Sequence, residues 1–120
     1  MPTKYQAGMQ AQQQAESYLT GKGYSILERN YRIRTGEVDI IAQHGSYVVF
    51  VEVKFRRGTD FGLPRESVGV AKQQRIVRTA MHYVSVRSIS DRDFRFDVIE
   101  IIAQGGQLYI NHIENAFDAQ

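Results

Sequence analysis

Residues 36–57 read Gly36-Glu37-Val38-Asp39-Ile40-Ile41-Ala42-Gln43-His44-Gly45-Ser46-Tyr47-Val48-Val49-Phe50-Val51-Glu52-Val53-Lys54-Phe55-Arg56-Arg57. Two runs rich in β-branched and aromatic residues, Val38 to Ala42 and Tyr47 to Phe55, flank His44-Gly45, the pattern of a β-hairpin. If Ala42 lies opposite Tyr47, Glu37 faces Glu52 and Asp39 faces Phe50. Residues directly opposite share a sheet face, as do residues two apart. One face then carries Glu37, Asp39, Ile41, Val48, Phe50, Glu52 and Lys54. The other carries Val38, Ile40, Ala42, Tyr47, Val49, Val51, Val53 and Phe55, and should pack on a helix. A slip of one residue would mix the faces and place charge in the core.

This register gathers three carboxylates and an ammonium at one end of one face. Two carboxylates at 4 Å repel by roughly 4 kcal/mol at an effective dielectric near 20. A hard divalent cation such as Mg²⁺, with Mn²⁺ as substitute, would offset that repulsion. Asp39 and Glu52, placed diagonally at roughly 7–8 Å between backbones, can converge on one ion. The Val53 carbonyl is a further candidate ligand, and Glu37 either assists the metal or caps the preceding turn. Such a site suits phosphodiester hydrolysis, with Lys54 orienting a water or holding developing negative charge. Glu-X-Lys alone also describes an ordinary ion pair at a strand end. Asp39 on the same face is what separates the two readings.

Outside the hairpin, Gly8 to Thr20 reads as a helix with Ala11, Ala15, Tyr18 and Leu19 inward, stopped by Gly21 and Gly23. Tyr24 to Arg34 reads as a strand broken near Asn30. Arg56 to Pro64 looks like an exposed loop. A long helix follows from about Glu66 to Val86, with Val70, Val77, Ala80, Met81 and Val84 as its inward stripe. Phe94 to Ala103 and Gln107 to His112 are two more strands, turning at Gly105-Gly106. The order α-β-β-β-α-β-β suits an α/β fold with one sheet and helices packed on it.

The 120 residues, 42% of them apolar, suit one domain spanning 1–120. No cysteine is present, which excludes disulfides and thiolate metal sites. No apolar run approaches the ~18 residues of a membrane span, and the N-terminus has no signal-peptide pattern, so a cytoplasmic location is expected. The net charge is +2, unevenly placed. From Lys54 to Arg78 seven basic residues face two acidic ones, a net of +5, which leaves −3 elsewhere. A basic stretch of this kind can displace counterions from phosphates. Arg56, Arg57 and Arg65 in the loop and Lys72 and Arg75 along the helix are the candidate nucleic-acid contacts, with Arg78 or Thr79 continuing the helical row. Phe61 is a candidate for stacking or for a core contact. Arg95 and Asp97, two apart on one strand, read as structural, and the three histidines share no metal-ligand spacing. An exposed edge strand would allow homodimerisation.

Gly36-Glu37-Val38-Asp39 and Phe50-Val51-Glu52-Val53-Lys54 together resemble the YraN-like (UPF0102) family of uncharacterised bacterial proteins. Gly23-Tyr24, Arg29-Asn30, Phe61-Gly62, Lys72, Arg95-Phe96-Asp97 and Asn115-Ala116-Phe117 extend the resemblance along the chain. That family is similar to PD-(D/E)XK nucleases and to archaeal Holliday junction resolvases. The resemblance implies a restriction-endonuclease-like domain with a mixed central sheet flanked by helices. It implies a Mg²⁺-dependent endonuclease acting on structured or branched DNA. The metal-binding acids fall on Asp39 and Glu52, and the lysine on Lys54. Val38 stands where the superfamily name has proline. Gln12 stands where the first helix usually carries glutamate, and Glu16, one turn on, is the residue placed to compensate. With Gln12 there, a nucleic-acid-binding module without catalysis is the alternative.

Overall fold

The hairpin closes more tightly than the pattern suggests. In the computed structural model, which describes residues 3–57 and 68–119, His44 pairs with Tyr47 across a two-residue loop. Gly45 takes φ 60° there, a left-handed conformation that glycine adopts without strain. The ladder between β2 (Gly36–His44) and β3 (Tyr47–Arg57) therefore runs Ala42 to Val49 and Ile40 to Val51. This corrects the expected register by two residues. Glu37 does not face Glu52, and Phe50 pairs with Ile41 rather than with Asp39. A two-residue shift preserves side-chain parity, so most of the expected face assignments survive it.

Five strands form one mixed sheet in the order β1-β2-β3-β4-β5. β1 (Ser25–Ile33) pairs antiparallel with β2, and β4 (Asp93–Gln104) pairs antiparallel with β5 (Gln107–Phe117). β3 and β4 are parallel. Parallel neighbours need a crossover, and α2 (Val70–Val86) lies between them in sequence. The chain is thus α/β, with α1 (Lys4–Gly21) against one sheet face and α2 against the other.

Each helix follows from its sequence. Thr3 accepts from the Gln6 N–H while the Gln6 side chain accepts from the Thr3 N–H, a capping box that starts α1 one turn before the expected Gly8. Ala11, Ala15 and Leu19 are buried against Ile40, Ala42, Val49 and Val51, and Ala7 is buried one turn earlier. The α1 helix supplies small side chains, so it can lie close to a sheet face of β-branched residues. On α2 the buried positions are Ile76, Thr79, Ala80 and Tyr83. Of the expected stripe Ala80 is buried, and the rest is rotated from the observed face. Val70 is 69% exposed, and Val77, Met81 and Val84 are only partly buried. The described part of this helix begins at Val70 with Gly69 as its N-cap, and residues 58–67, which include Phe61 and Arg65, lie outside the described residues.

Strand β4 carries two buried acids, one on each side of the sheet. Asp97 accepts from Arg95 at 2.9 and 2.8 Å, from the Asn115 N–H at 3.0 Å, and lies 2.7 Å from His112 Nε2. Burial alone would raise its pKa, but the His112 and Arg95 contacts and the Asn115 N–H outweigh that and hold it below the usual carboxylate range. Asn115 has φ 52°, and the β4–β5 register shifts between Phe96 and Val98. Asp97 therefore ties down an irregular segment of β5, which runs five residues beyond the expected His112. Arg95 and Asp97 are structural, as their spacing suggested, and His112 belongs with them.

Gly36 sets the separation between β2 and α2. A Cβ placed there would lie 2.5 Å from Thr79 Oγ1 and 2.9 Å from the Arg75 carbonyl oxygen. The Thr79 hydroxyl is itself held by that carbonyl at 2.8 Å, so it cannot turn away without losing its bond. Gly36→Ala should lower the unfolding free energy by about 1–3 kcal/mol, the usual range for overpacking. Urea denaturation read by circular dichroism checks this, and an unchanged midpoint would show that the helix is not held this close.

Candidate functional site

Beyond the Ile40–Val51 pair the β2–β3 ladder stops, and Asp39 sits at the fork. By the alternation of an antiparallel ladder, Val53 is the next residue after Val51 whose N–H points at β2. That N–H donates to Asp39 Oδ2 at 2.8 Å, so a side chain takes the bond a backbone carbonyl would otherwise accept. The strands separate here. Val38 joins the α2-side core with Ile41, Phe50 and Ile76 instead of the face it was expected to share with Ile40 and Ala42. In extended backbone the N–H and C=O of one residue point to the same edge. The Val53 carbonyl therefore faces the fork as well.

The α2 side of the fork is a cavity of about 130 Å³ lined by Gly36, Glu37, Asp39, Glu52, Lys72, Arg75 and Ile76. That volume has room for an ion and several waters, each of which occupies about 30 Å³ in the liquid. Glu52 is buried, 6% exposed. Lys72 Nζ lies 2.5 Å from Glu52 Oε2, and Lys54 Nζ lies 3.9 Å from the same oxygen. The structure thus brings Asp39, Glu52, Lys54 and Lys72 together, with Arg75 on the same wall. Thr79, not Arg78, continues the Lys72–Arg75 row. Its hydroxyl bonds the Arg75 carbonyl, whereas Arg78 lines a separate hollow with Met81 and Phe117.

The charge states follow from this geometry. Asp39 is pushed up to about 7, first by burial and then by the neighbouring Glu52 charge, against the lowering effect of the Val53 N–H. Lys54 is lowered, by burial first and by the adjoining Lys72 second. Lys72 is raised: burial opposes its charge, but contact with Glu52 outweighs that. Asp39 therefore holds its proton to near neutral pH, and both lysines make their ion pairs with Glu52 rather than with Asp39.

The opposite side of the fork opens into a wider cleft of about 630 Å³ between α1, β1 and β2, with Asp39 and Val53 on its floor. Gln12 and Asn30 are bonded reciprocally there, Nε2 to Oδ1 at 2.9 Å and Nδ2 to Oε1 at 3.1 Å. Asn30, at φ 51°, also donates to Glu37 Oε2 at 3.2 Å. Arg32 holds the same Glu37 oxygen at 3.0 Å, and Arg29 holds Glu16 at 2.7 Å. Glu37 is thus engaged at the margin of the site. Glu16 is occupied by Arg29 and does not stand free to compensate for Gln12. Sequence spacing missed Asn30, Arg29 and Arg32 as neighbours of the site, because β1 reaches it only through sheet pairing.

Arg56 and Arg57 do not begin a loop, because β3 continues through both. Arg56, with its side chain 15% exposed, bonds the fully buried Glu100 at 2.7 Å, and Asn111 bonds the other Glu100 oxygen at 2.8 Å. Arg57 is exposed and lies over the Phe55 ring. Arg65 lies outside the described residues.

The donor set fits a hard cation. Asp39 and Glu52 offer carboxylate oxygens, Val53 a carbonyl, and the cavity has space for the waters that Mg²⁺ retains. Among the described residues no group of three or more His, Cys, Asp or Glu side chains converges as a metal site, so water must complete the coordination of an ion held here.

The model of the "Uncharacterised protein family UPF0102" matches residues 11–101, a stretch containing Gln12, Asp39, Glu52, Lys54 and Lys72. The chain belongs to the UPF0102 family. A UPF0102 protein of Alkaliphilus metalliredigens is 49% identical over 100 residues, 83% of this chain and 87% of that one. A Clostridium acetobutylicum member is 47% identical over 113 residues, 92% and 93% of the two chains, and a Persephonella marina member 42% over 111, 92% of each. The matched stretch 11–101 spans β1, β2, β3 and α2, the elements that build the fork.

Two outcomes test this description. Asp39 has its folded pKa raised, so its stabilising proton is fully held below the unfolded value near 3.8 and is lost as pH rises through about 7. In EDTA, Asp39→Asn should exceed the wild type in stability by on the order of 3 kcal/mol at pH 8, with the gap closing toward pH 4. Thermal melts across that range decide it, and a gap independent of pH would refute the assignment. Arg56→Ala, which strands Glu100, should cost about 3–5 kcal/mol, whereas Arg57→Ala should change stability by no more than about 0.5 kcal/mol. Chemical denaturation of the two variants side by side separates these roles.

Proposed function

We propose that this protein is a divalent-metal-dependent endonuclease of the restriction-endonuclease-like type, acting on structured or branched DNA. One observation carries the reading. At the β2–β3 fork, Asp39 and Glu52 share a small cavity with Lys72, Lys54 reaches Glu52 from the same strand, and among the described residues no cation is paired with Asp39. The resemblance to PD-(D/E)XK nucleases supports it, since the acids and lysine of that pattern fall on the same three residues.

The chain's own residues suit the reaction. Asp39, Glu52 and the Val53 carbonyl would hold Mg²⁺ or Mn²⁺. When bound, such an ion polarises a phosphoryl oxygen and lowers the pKa of water. Lys54, its pKa lowered, stands beside the acids, where it can orient a water or hold charge developing on the phosphate. Lys72 and Arg75, on the wall formed by α2, are positioned to meet a phosphate backbone. A second reading, binding without cleavage, is favoured by one observation. Gln12 is locked in its amide pair with Asn30 and offers no carboxylate.

Purified protein incubated with Mg²⁺ or Mn²⁺ and a panel of labelled linear, flapped and four-way DNA should cut the branched forms preferentially. Asp39→Ala, Glu52→Ala and Lys54→Ala should each lose at least about 100-fold, the scale expected when one charge-stabilising group is removed. EDTA should abolish cutting. Salt-sensitive binding without cleavage would establish the second reading, and cleavage that survives Asp39→Ala or EDTA would overturn the first.

A further inference from the structure

Glu52 is nearly sealed from solvent, yet two ammonium groups reach it from different elements. Lys54 comes from the same strand, two residues on, and lies at 3.9 Å. Lys72 comes from the first turn of α2 and makes the tighter contact, 2.5 Å, with a side chain still 38% exposed. The two lysines adjoin each other, and both make their ion pairs with Glu52. Asp39, the other acid, has the Val53 N–H.

We propose that Lys72 is a built-in counter-ion. It neutralises Glu52 while the site lacks a divalent cation, and leaves Glu52 for a nucleic-acid phosphate when the cation binds. The proposal rests on the metal-dependent reading of the site above. A buried carboxylate requires a compensating charge at all times. A divalent ion between Asp39 and Glu52 would supply that charge and repel an ammonium on the same oxygen. Of the two lysines, Lys72 is the one free to go. Its Nζ is carried on a flexible four-carbon stem, and its partial exposure gives it a path outward along the wall that also carries Arg75. Lys54 is less exposed, at 27%, and already sits farther from the oxygen.

The helix favours the same exchange. A cation in the first turn of an α-helix is opposed by the macrodipole, and α2 has no acidic residue in that turn and no side-chain cap. Glu52 is therefore the anion that holds Lys72 there, and a phosphate is the natural replacement for it. Metal and nucleic acid would then bind with positive coupling, because loading the first releases a cation for the second.

The test measures Mn²⁺ binding by the loss of the free-ion paramagnetic resonance signal, with protein alone. Wild type should bind Mn²⁺, Asp39→Asn should not, and Lys72→Met should bind about tenfold more tightly than wild type, within the ordinary range of coupling between sites. Lys72→Gln, less apolar, should show the same direction and serves if Lys72→Met melts early. In wild type, Mn²⁺ should also steepen the salt dependence of binding to a labelled DNA junction by about one ion, a change that Lys72→Met should lack. If wild type binds Mn²⁺ through Asp39 but neither Lys72 variant binds it more tightly, the counter-ion role is refuted and the metal site stands. If wild type and Asp39→Asn bind alike, or neither binds, the metal site itself is refuted and the counter-ion role falls with it.

Discussion

The site depends on one hydrogen bond, from the Val53 N–H to Asp39 Oδ2. An antiparallel ladder is self-propagating, because each rung places the next donor and acceptor in register. Here a carboxylate intercepts the donor, and the rung after Ile40–Val51 is not made. The strands part, both α-helical layers gain access to the same point, and Asp39 becomes the floor of a cavity on each side. Without that interception the hairpin would continue as ordinary sheet, with Asp39 opposite Glu52 and no space between them.

Buried acids recur through this sheet, and the way each is compensated separates framework from site. Asp97 has Arg95, His112 and a backbone N–H. Glu100 has Arg56 and Asn111. Each of these is anchored by short contacts from neighbouring strand residues, and such closed networks fix strand register. The fork is different. Glu52 has two lysines, one of them partly exposed, while Asp39 has a single neutral donor and a pKa raised to about 7. The framework acids are satisfied as they stand. The site acids are less fully paired, the pattern of perturbed carboxyls that clusters at functional sites.

Much of this was legible in the sequence. Period-two alternation in Gly36–Arg57 gives the hairpin and the shared face of Asp39, Glu52 and Lys54, because side-chain parity survives a register error of two. The register itself was not legible, since Gly45-Ser46 and a longer turn around His44-Gly45 fit the same pattern. The splaying of Val38 was also hidden, because it follows from a side-chain bond that no periodicity encodes. Long-range partners were the other blind spot. Arg56 sits in a basic stretch and reads as a surface residue, yet its charge is set by Glu100, 44 positions away and brought close only by the parallel pairing of β3 with β4. His112 has no metal-ligand spacing in the sequence, and its partner Asp97 is brought to it only by the pairing of β4 with β5.

The α1 side of the fork shows how one amide can alter what the site requires. A glutamate at position 12 would face Asn30, Glu37 and Glu16 across a short distance, adding a fourth acid around Asp39. Gln12 instead closes a neutral pair with Asn30, and Arg29 and Arg32 cover the remaining two carboxylates. Negative charge on this side is thereby balanced locally, and Asp39, which lines both openings, is left as the carboxyl of the fork with a raised pKa. A polyanion approaching through the α1 cleft meets arginines already paired and uncharged glutamines. One approaching past α2 meets Lys72 and Arg75 beside the acids. An amide at position 12 thus leaves the α1 cleft locally neutral and the cations Lys72 and Arg75 on the α2 face, which is the side from which the proposed phosphate ligand would approach.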